Sequence, residues 1–220
     1  PASVASALAA AGIDVASVAN NHSYDQTALG MEDTLRALSA ARVRAVGAGP
    51  SEEEAPGPVV VEQGGVRVAF LAFTERINRG PVARDTSARV PRFERELAAR
   101  ALARAREQAD VVVVSMHWSH DFVESPRLAQ RALARWLVER GADVILGHGP
   151  HVLQEVERLE SARGDAVCAY SLGNLVSNQG LRYAPGRRIP AGLHPAVVRP
   201  ETRDGAWLRV RLVLDGERMR

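Results

Sequence analysis

The sequence predicts an α/β fold in which two packed sheets are flanked by helices, and three observations carry that reading. Helix-like and strand-like segments alternate for most of the 220 residues, with βα units first and antiparallel strands later. Hydrophobic residues make up 46% of the chain and aromatics only 5%, so the core has to be built from Val, Leu, Ile and Ala. Three apolar runs also end directly in amides or histidines, at the strand ends where α/β folds hold their ligands. A chain of this length suits one domain spanning 1–220.

The elements follow in order. Residues 2–11 (ASVASALAAA) read as a helix stopped by Gly12, and 13–19 (IDVASVA) as a strand. Residues 29–41 place Met31, Leu35 and Leu38 at helical spacing, and 43–48 form a short strand. After the proline- and glycine-dense loop GPSEEEAPGP, the stretch VVVEQGGVRVAFLAF predicts a hairpin turning at Gly64 and Gly65. A helix is expected over 91–109, leading into the strand VVVVSM at 111–116. Pro126 opens a helix to Arg140, followed by the strand ADVILG at 142–147. VLQEVERL and DAVCAYSLG read as strands, an excursion rich in Gly, Pro and Arg runs from 178 to 205, and WLRVRLVL is expected as a last strand. No internal repeat is visible.

Composition narrows the function. The 28 basic residues are all arginine and stand against 26 acidic ones, a near-balance that argues against a nucleic-acid footprint. No segment approaches the roughly 20 apolar residues that span a bilayer. The one cysteine, Cys168, lies in the apolar run AVCAYSL and reads as a buried, inert thiol. The chain opens on Pro1 with a helix-like segment and no recognisable cap, so the lack of a signal peptide says nothing about compartment.

The chemistry gathers at the strand ends. IDVASVA runs into Asn20, Asn21 and His22; VVVVSM into His117; ADVILG into His148 and, past Gly149 and Pro150, His151. One histidine at a strand end is most often a satisfied polar residue, but three strand ends sharing the pattern argue for a common site. Imidazoles with an amide oxygen suit zinc, iron or manganese, whereas a dedicated calcium site would be all oxygen. Gly147 and Gly149 flank His148 and allow a tight turn or a close approach to a ligand.

The ordered set SVANNHSYD, MHWSHDF, LARWLVERGADVILGHGPHVLQ and YSLGNLVSNQG resembles the successive motifs of the CapA family, capsule-synthesis proteins associated with poly-γ-glutamate. That resemblance covers nearly the whole chain and implies a fold similar to calcineurin-like metallophosphoesterases. It implies two divalent metal ions in a complete protein, with Asn21, His117 and His148 on the second metal and His151 reaching the first. His22 would then protonate a leaving oxygen. Asp25 suits two roles equally, orienting His22 or capping the helix that follows. Asn174 in SLGN suits a substrate hydrogen-bonder or a turn-former, and Asp121 and Arg182 are further candidates for substrate contact. Trp118 reads as packing.

This sequence departs from the family pattern in places. GHGPH carries one residue more than the phosphoesterase GHxH, Ser119 stands for the usual glycine, and Asp121 for the usual glutamate. The family's opening strand ending in Gly-Asp, and its later Asn-Leu-Glu, do not precede Pro1, so the first strand and its carboxylates are expected to be missing. The function implied is capsule or envelope polymer biosynthesis, through metal-dependent hydrolysis of a phosphoester or amide-type bond. The alternative is a non-catalytic assembly or transport factor that keeps the fold. The expected partners are an anionic small-molecule or polymer substrate and an envelope polymer-synthesis complex, with no nucleic acid, in an extracytoplasmic or envelope setting.

Overall fold

The computed structural model describes residues 2–51, 53–80, 88–177, 199–211, 213–215 and 218–219. The chain divides into two compact units, Pro1–His117 with Arg140–Ala142, and Trp118–Glu139 with Asp143–Arg220. Among the described residues no helix is long and apolar enough to cross a membrane.

In the first unit, helix α1 (Ala2–Ala10) ends where Gly12 takes a φ of 78°, and the Ile13 amide returns to the Leu8 carbonyl at 3.1 Å. That is the left-handed stop that glycine supplies without strain. Strand β1 (Val15–Ser17) then pairs in parallel with β2 (Arg44–Val46), Val15 opposite Arg44. A parallel pair needs a crossover, and α2 (Thr27–Ala40) provides it, burying Ala28, Met31 and Leu38. The expected hairpin forms from β3 (Val59–Gln63) and β4 (Val66–Thr74). Gly64 and Gly65 both have positive φ, as a two-residue turn of matching twist requires.

Strand β4 pairs in parallel with β5 (Val111–His117), Thr74 opposite His117, across helix α3 (Arg95–Gln108). Ala98, Ala101, Leu102 and Ala105 are its buried stripe. The helix begins four residues later than expected. Residues 91–94 stay extended because the Thr74 amide bonds the Pro91 carbonyl and the Phe93 amide bonds the Thr74 carbonyl, at 3.4 and 2.8 Å. The β1–β2 layer packs through Ala19, Val43 and Val46 onto Ala72 and Phe70 of β4. The layers meet so closely at Gly47 that a Cβ there would lie 2.7 Å from Ala19 Cβ and 2.8 Å from Ala72 Cβ.

The second unit holds α4 (Leu128–Glu139), β6 (Val144–His148), β7 (Val156–Ser161), β8 (Gly164–Ala169), a 3-10 turn at Pro200–Arg203, and short strands β9 (Leu214–Asp215) and β10 (Arg218–Met219). Strand β8 pairs in parallel with β6 and antiparallel with β7. Its Cys168 is fully buried, and burial pushes the thiol up to about 12, so the inert reading stands. Trp118, also fully buried, donates its indole N–H to the Tyr170 carbonyl at 2.8 Å and is packing.

Tyr170 donates its hydroxyl to Glu157 at 2.8 Å, and the Arg131 guanidinium lies over its ring. Burial and that hydrogen bond raise the Tyr170 phenol, and the same bond, with Arg131 and Arg135, holds the Glu157 carboxyl below the usual carboxylate range. One expected element fails. Residues 207–211 of WLRVRLVL form no strand; among the described residues from 207 onward, strand pairing is found at β9 and β10. The alternation survives as half-buried Leu208 and Val210 between exposed arginines, yet Trp207 is 81% exposed.

Candidate functional site

The turn after β1 carries the first group of candidates. It is locked by its own side chains: Asn20 Oδ1 accepts from the His22 amide at 2.8 Å, and the Ser23 hydroxyl bonds the Val18 and Asn20 carbonyls, both at 2.7 Å. Polar side chains thus take over the hydrogen bonds that a continuing strand would have made. The turn presents His22 to solvent, its Nδ1 2.6 Å from Asp25 Oδ2. Helix α2 starts at Thr27 with no side-chain cap, so the Asp25 carboxylate is directed at His22 and not at the helix amides.

Asn21, in contrast, is buried, and its Nδ2 donates to Asn78 Oδ1 at 3.4 Å. The amide oxygen is then the atom it can offer a cation. His117 closes β5 and is also buried, with Nδ1 3.2 Å from the Thr74 hydroxyl. Thr74 gives its own proton to the Arg76 carbonyl at 2.7 Å, so its oxygen accepts from His117. The proton of the neutral ring therefore sits on Nδ1 and the lone pair on Nε2.

The second unit repeats this logic with a different partner. His148 is the last residue of β6, half-buried, and its carbonyl accepts from the Trp118 amide at 2.8 Å. The close approach expected of Gly147 is to the fold and not to a ligand: a Cβ there would lie 2.0 Å from the Tyr170 carbonyl oxygen and 2.4 Å from the Trp118 indole nitrogen. Gly149 takes the turn, with φ 109°.

His151 has φ 60°, stacks on Phe122 at 5.6 Å between ring centres, and sets Nδ1 3.0 Å from Asn174 Oδ1. Asn174 Nδ2 donates to the Thr202 carbonyl at 2.8 Å, which identifies the oxygen as the atom facing His151. This ring too carries its proton on Nδ1. Asn174 thus spends its side chain on holding His151 and the 3-10 turn. Asp121 is half-buried two residues after Ser119, whose hydroxyl meets His120 Nδ1 at 3.2 Å. Arg182 lies outside the described residues.

Thr74, Asn78 and Phe122 serve the candidate side chains but carried no signal in the sequence reading. Thr74 alone had one available, since it ends a strand as His117 does. The neutral, Nδ1-protonated form of His117 and His151 is the form a metal ligand takes. The number of donors is the obstacle: among the described residues no group of three or more His, Cys, Asp or Glu side chains is placed to hold an ion. A catalytic centre takes about three protein ligands. The described residues of either unit alone do not make a complete metal centre, and no chemical step below is routed through one.

The architecture is a mixed α/β fold shared with a solved nucleotidase structure. Among solved structures, the chain is similar to the NAD nucleotidase of Haemophilus influenzae, with a TM-score of 0.53 at 13% identity over 78% of this chain and 33% of that one. It is also similar to a hypothetical protein from Thermus thermophilus, with a TM-score of 0.51 at 22% identity over 96% and 75%. The family is narrower than the fold. Residues 1–179 match the bacterial capsule synthesis protein family PGA_cap, and the chain belongs to it.

Its relatives include the capsule biosynthesis protein CapA of Bacillus anthracis, 35% identical over 79% of this chain, and the PGA biosynthesis protein CapA of Bacillus subtilis, 37% identical over 74%. A probable polyglutamine synthesis accessory protein of Mycobacterium tuberculosis is 29% identical over 78%. The aligned stretch spans 42% of each Bacillus relative, under half its length.

Proposed function

We propose that this chain is the hydrolase-type domain of a protein serving capsule or envelope polymer synthesis, with His22 as the proton donor to a leaving group on an anionic substrate. The observation that carries the reading is the His22–Asp25 contact of 2.6 Å on an exposed, internally bonded turn. Asp25 orients the ring through Nδ1 and can balance its charge when both nitrogens hold protons, so Nε2 faces outward as the exchanging atom. A phosphoester or an amide-type bond both leave behind an oxygen or nitrogen that needs that proton. We assign Asn21, His117, His148 and His151 to divalent cations (manganese, iron or zinc), which when bound would polarise the substrate and activate water. The family's capsule-synthesis role and the nucleotidase-like fold support the reading. A polymer-synthesis complex at the envelope is its natural setting.

The test compares leaving groups in the complete protein. His22→Ala is expected to keep its metal content by elemental analysis while hydrolysis of an alkyl phosphate falls by about 10²- to 10⁴-fold. A nitrophenyl phosphate, which needs little protonation, should lose much less; equal losses on both would sink the general-acid role. His148→Ala should lose metal and both activities. The second reading, a non-catalytic assembly factor, is favoured by the absence of a three-donor group among the described residues. No hydrolysis of phosphoesters or γ-glutamyl amides by the metal-loaded protein would select it.

A further inference from the structure

Strand β1 is bonded along one edge. Its sheet has two strands among the described residues, β1 and β2. The Asp14 carbonyl accepts from the Arg44 amide at 2.8 Å, and the Val18 amide donates to the Val46 carbonyl at 2.9 Å. Main-chain groups alternate sides along a strand. Ala16, in step with Asp14 and Val18, therefore also faces β2, while the amides and carbonyls of Val15 and Ser17 point the other way. Among the described residues no hydrogen bond reaches those four groups.

A cavity of about 1050 Å³ lies along that second edge. Ala16, Ser17 and Val18 line it in succession, although successive side chains of a strand point to opposite faces. A space that touches all three meets the strand edge-on, and β2 already fills the other edge. Val4 and Leu8 of α1 and Met31 of α2 are apolar walls of the same space. The Ser17 hydroxyl oxygen is shielded from solvent and has no hydrogen-bond partner among the described residues.

We propose that a further strand of the same polypeptide, from outside residues 1–220, docks in this cavity and pairs with Val15 and Ser17. Its chemistry follows from the walls. Extended main chain supplies alternating donors and acceptors at about 3.3 Å per residue, as an open strand edge requires. Apolar side chains at alternate positions would cover Val4, Leu8 and Met31, and one polar group would satisfy the Ser17 hydroxyl. A lipid tail offers the apolar cover without the hydrogen bonds, and a sugar the reverse. The source is chosen on length: the aligned stretch spans 42% of each Bacillus relative, so a protein built as they are has more chain outside the match than inside it. His22 lines the same cavity. The added strand would thus wall the space beside that ring, whether or not the ring exchanges a proton with a substrate.

The experiment is amide hydrogen exchange of the complete protein, read residue by residue by nuclear magnetic resonance. The Ala16 amide, which faces β2, is the internal reference. Val15 and Ser17 are expected to exchange within about ten-fold of Ala16, at the same rate after ten-fold dilution of the protein. Faster exchange than that at both positions means an open edge and overturns the docking. Protection that is lost on dilution means that a second copy supplies the strand, and overturns the source. Val4→Glu alters a wall residue that is 53% exposed, so the fold tolerates it. It should speed exchange at Val15 and Ser17 by about ten-fold or more and leave Ala16 within about two-fold. Ser39→Glu, on an exposed residue of α2 away from the cavity walls, should change neither. Val15 and Ser17 protected to the same degree in Val4→Glu as in wild type would overturn the cavity as the seat of the strand.

Discussion

The turns bearing His22 and His151 hold an imidazole by the same nitrogen and for different ends. His22 sits on an exposed turn whose hydrogen bonds at Asn20, His22 and Ser23 are local, and its partner Asp25 is a carboxylate three residues away. His151 has positive φ, stacks on Phe122, and takes its partner from Asn174, an amide 23 residues distant. A local carboxylate suits a ring that gains and loses protons, while a remote neutral amide suits a ring that must keep one orientation. On the function proposed above, the contrast would separate a proton-exchanging residue from a binding one.

The sharpest way to break that contrast is at the wall behind His148. Gly147→Ala drives a Cβ into the Tyr170 carbonyl, where no flexible atom can yield, and is expected to cost about 3 kcal/mol or more. Urea unfolding measures it, and a loss below about 1 kcal/mol would show that the wall gives way. Asn174→Ala comes next. It frees the His151 ring and leaves the Thr202 carbonyl, on a fully buried residue, without its partner, for about 1 to 3 kcal/mol. Asp25→Asn should do the reverse, moving stability by under about 0.5 kcal/mol because the pair is exposed, while slowing hydrolysis of esters with poor leaving groups. Comparable stability losses at Asn174 and Asp25 would erase the distinction.

The last effect is electrostatic and belongs to the second turn's support. Glu157 anchors Tyr170, and its folded-state pKa lies below its unfolded one. Its stabilisation is therefore fully present above the unfolded value of about 4.3 and is lost as pH falls through the folded one. Glu157→Gln should flatten the acid limb of the stability profile by about 1 kcal/mol or less, as read from unfolding midpoints between neutral and acid pH.

Much of the scaffold was legible because its causes are local. Gly64 and Gly65 between valine-rich runs mark the hairpin, and Met31 and Leu38 mark the buried face of α2. The strand-end amides and histidines were equally plain. Contacts at long range were not: Asn174 holding His151, Thr74 setting the His117 tautomer, and Tyr24 pinning Val90 join positions 23, 43 and 66 residues apart. The extended 91–94 segment misled for the same reason. Its residues continue the helical pattern of α3, and only the bonds to Thr74 keep them out of it.

Cys168 has a practical consequence for measuring any of this. The chain contains no lysine, and its single cysteine is sealed in β8 with a thiol pushed up to about 12, so maleimide and lysine-directed reagents find almost nothing to modify in the folded state. A cysteine introduced at an exposed position would be a single-site handle in an otherwise silent background. Fluorophores or spin labels attached one per unit could then report distances in solution without first deleting a native residue from the core.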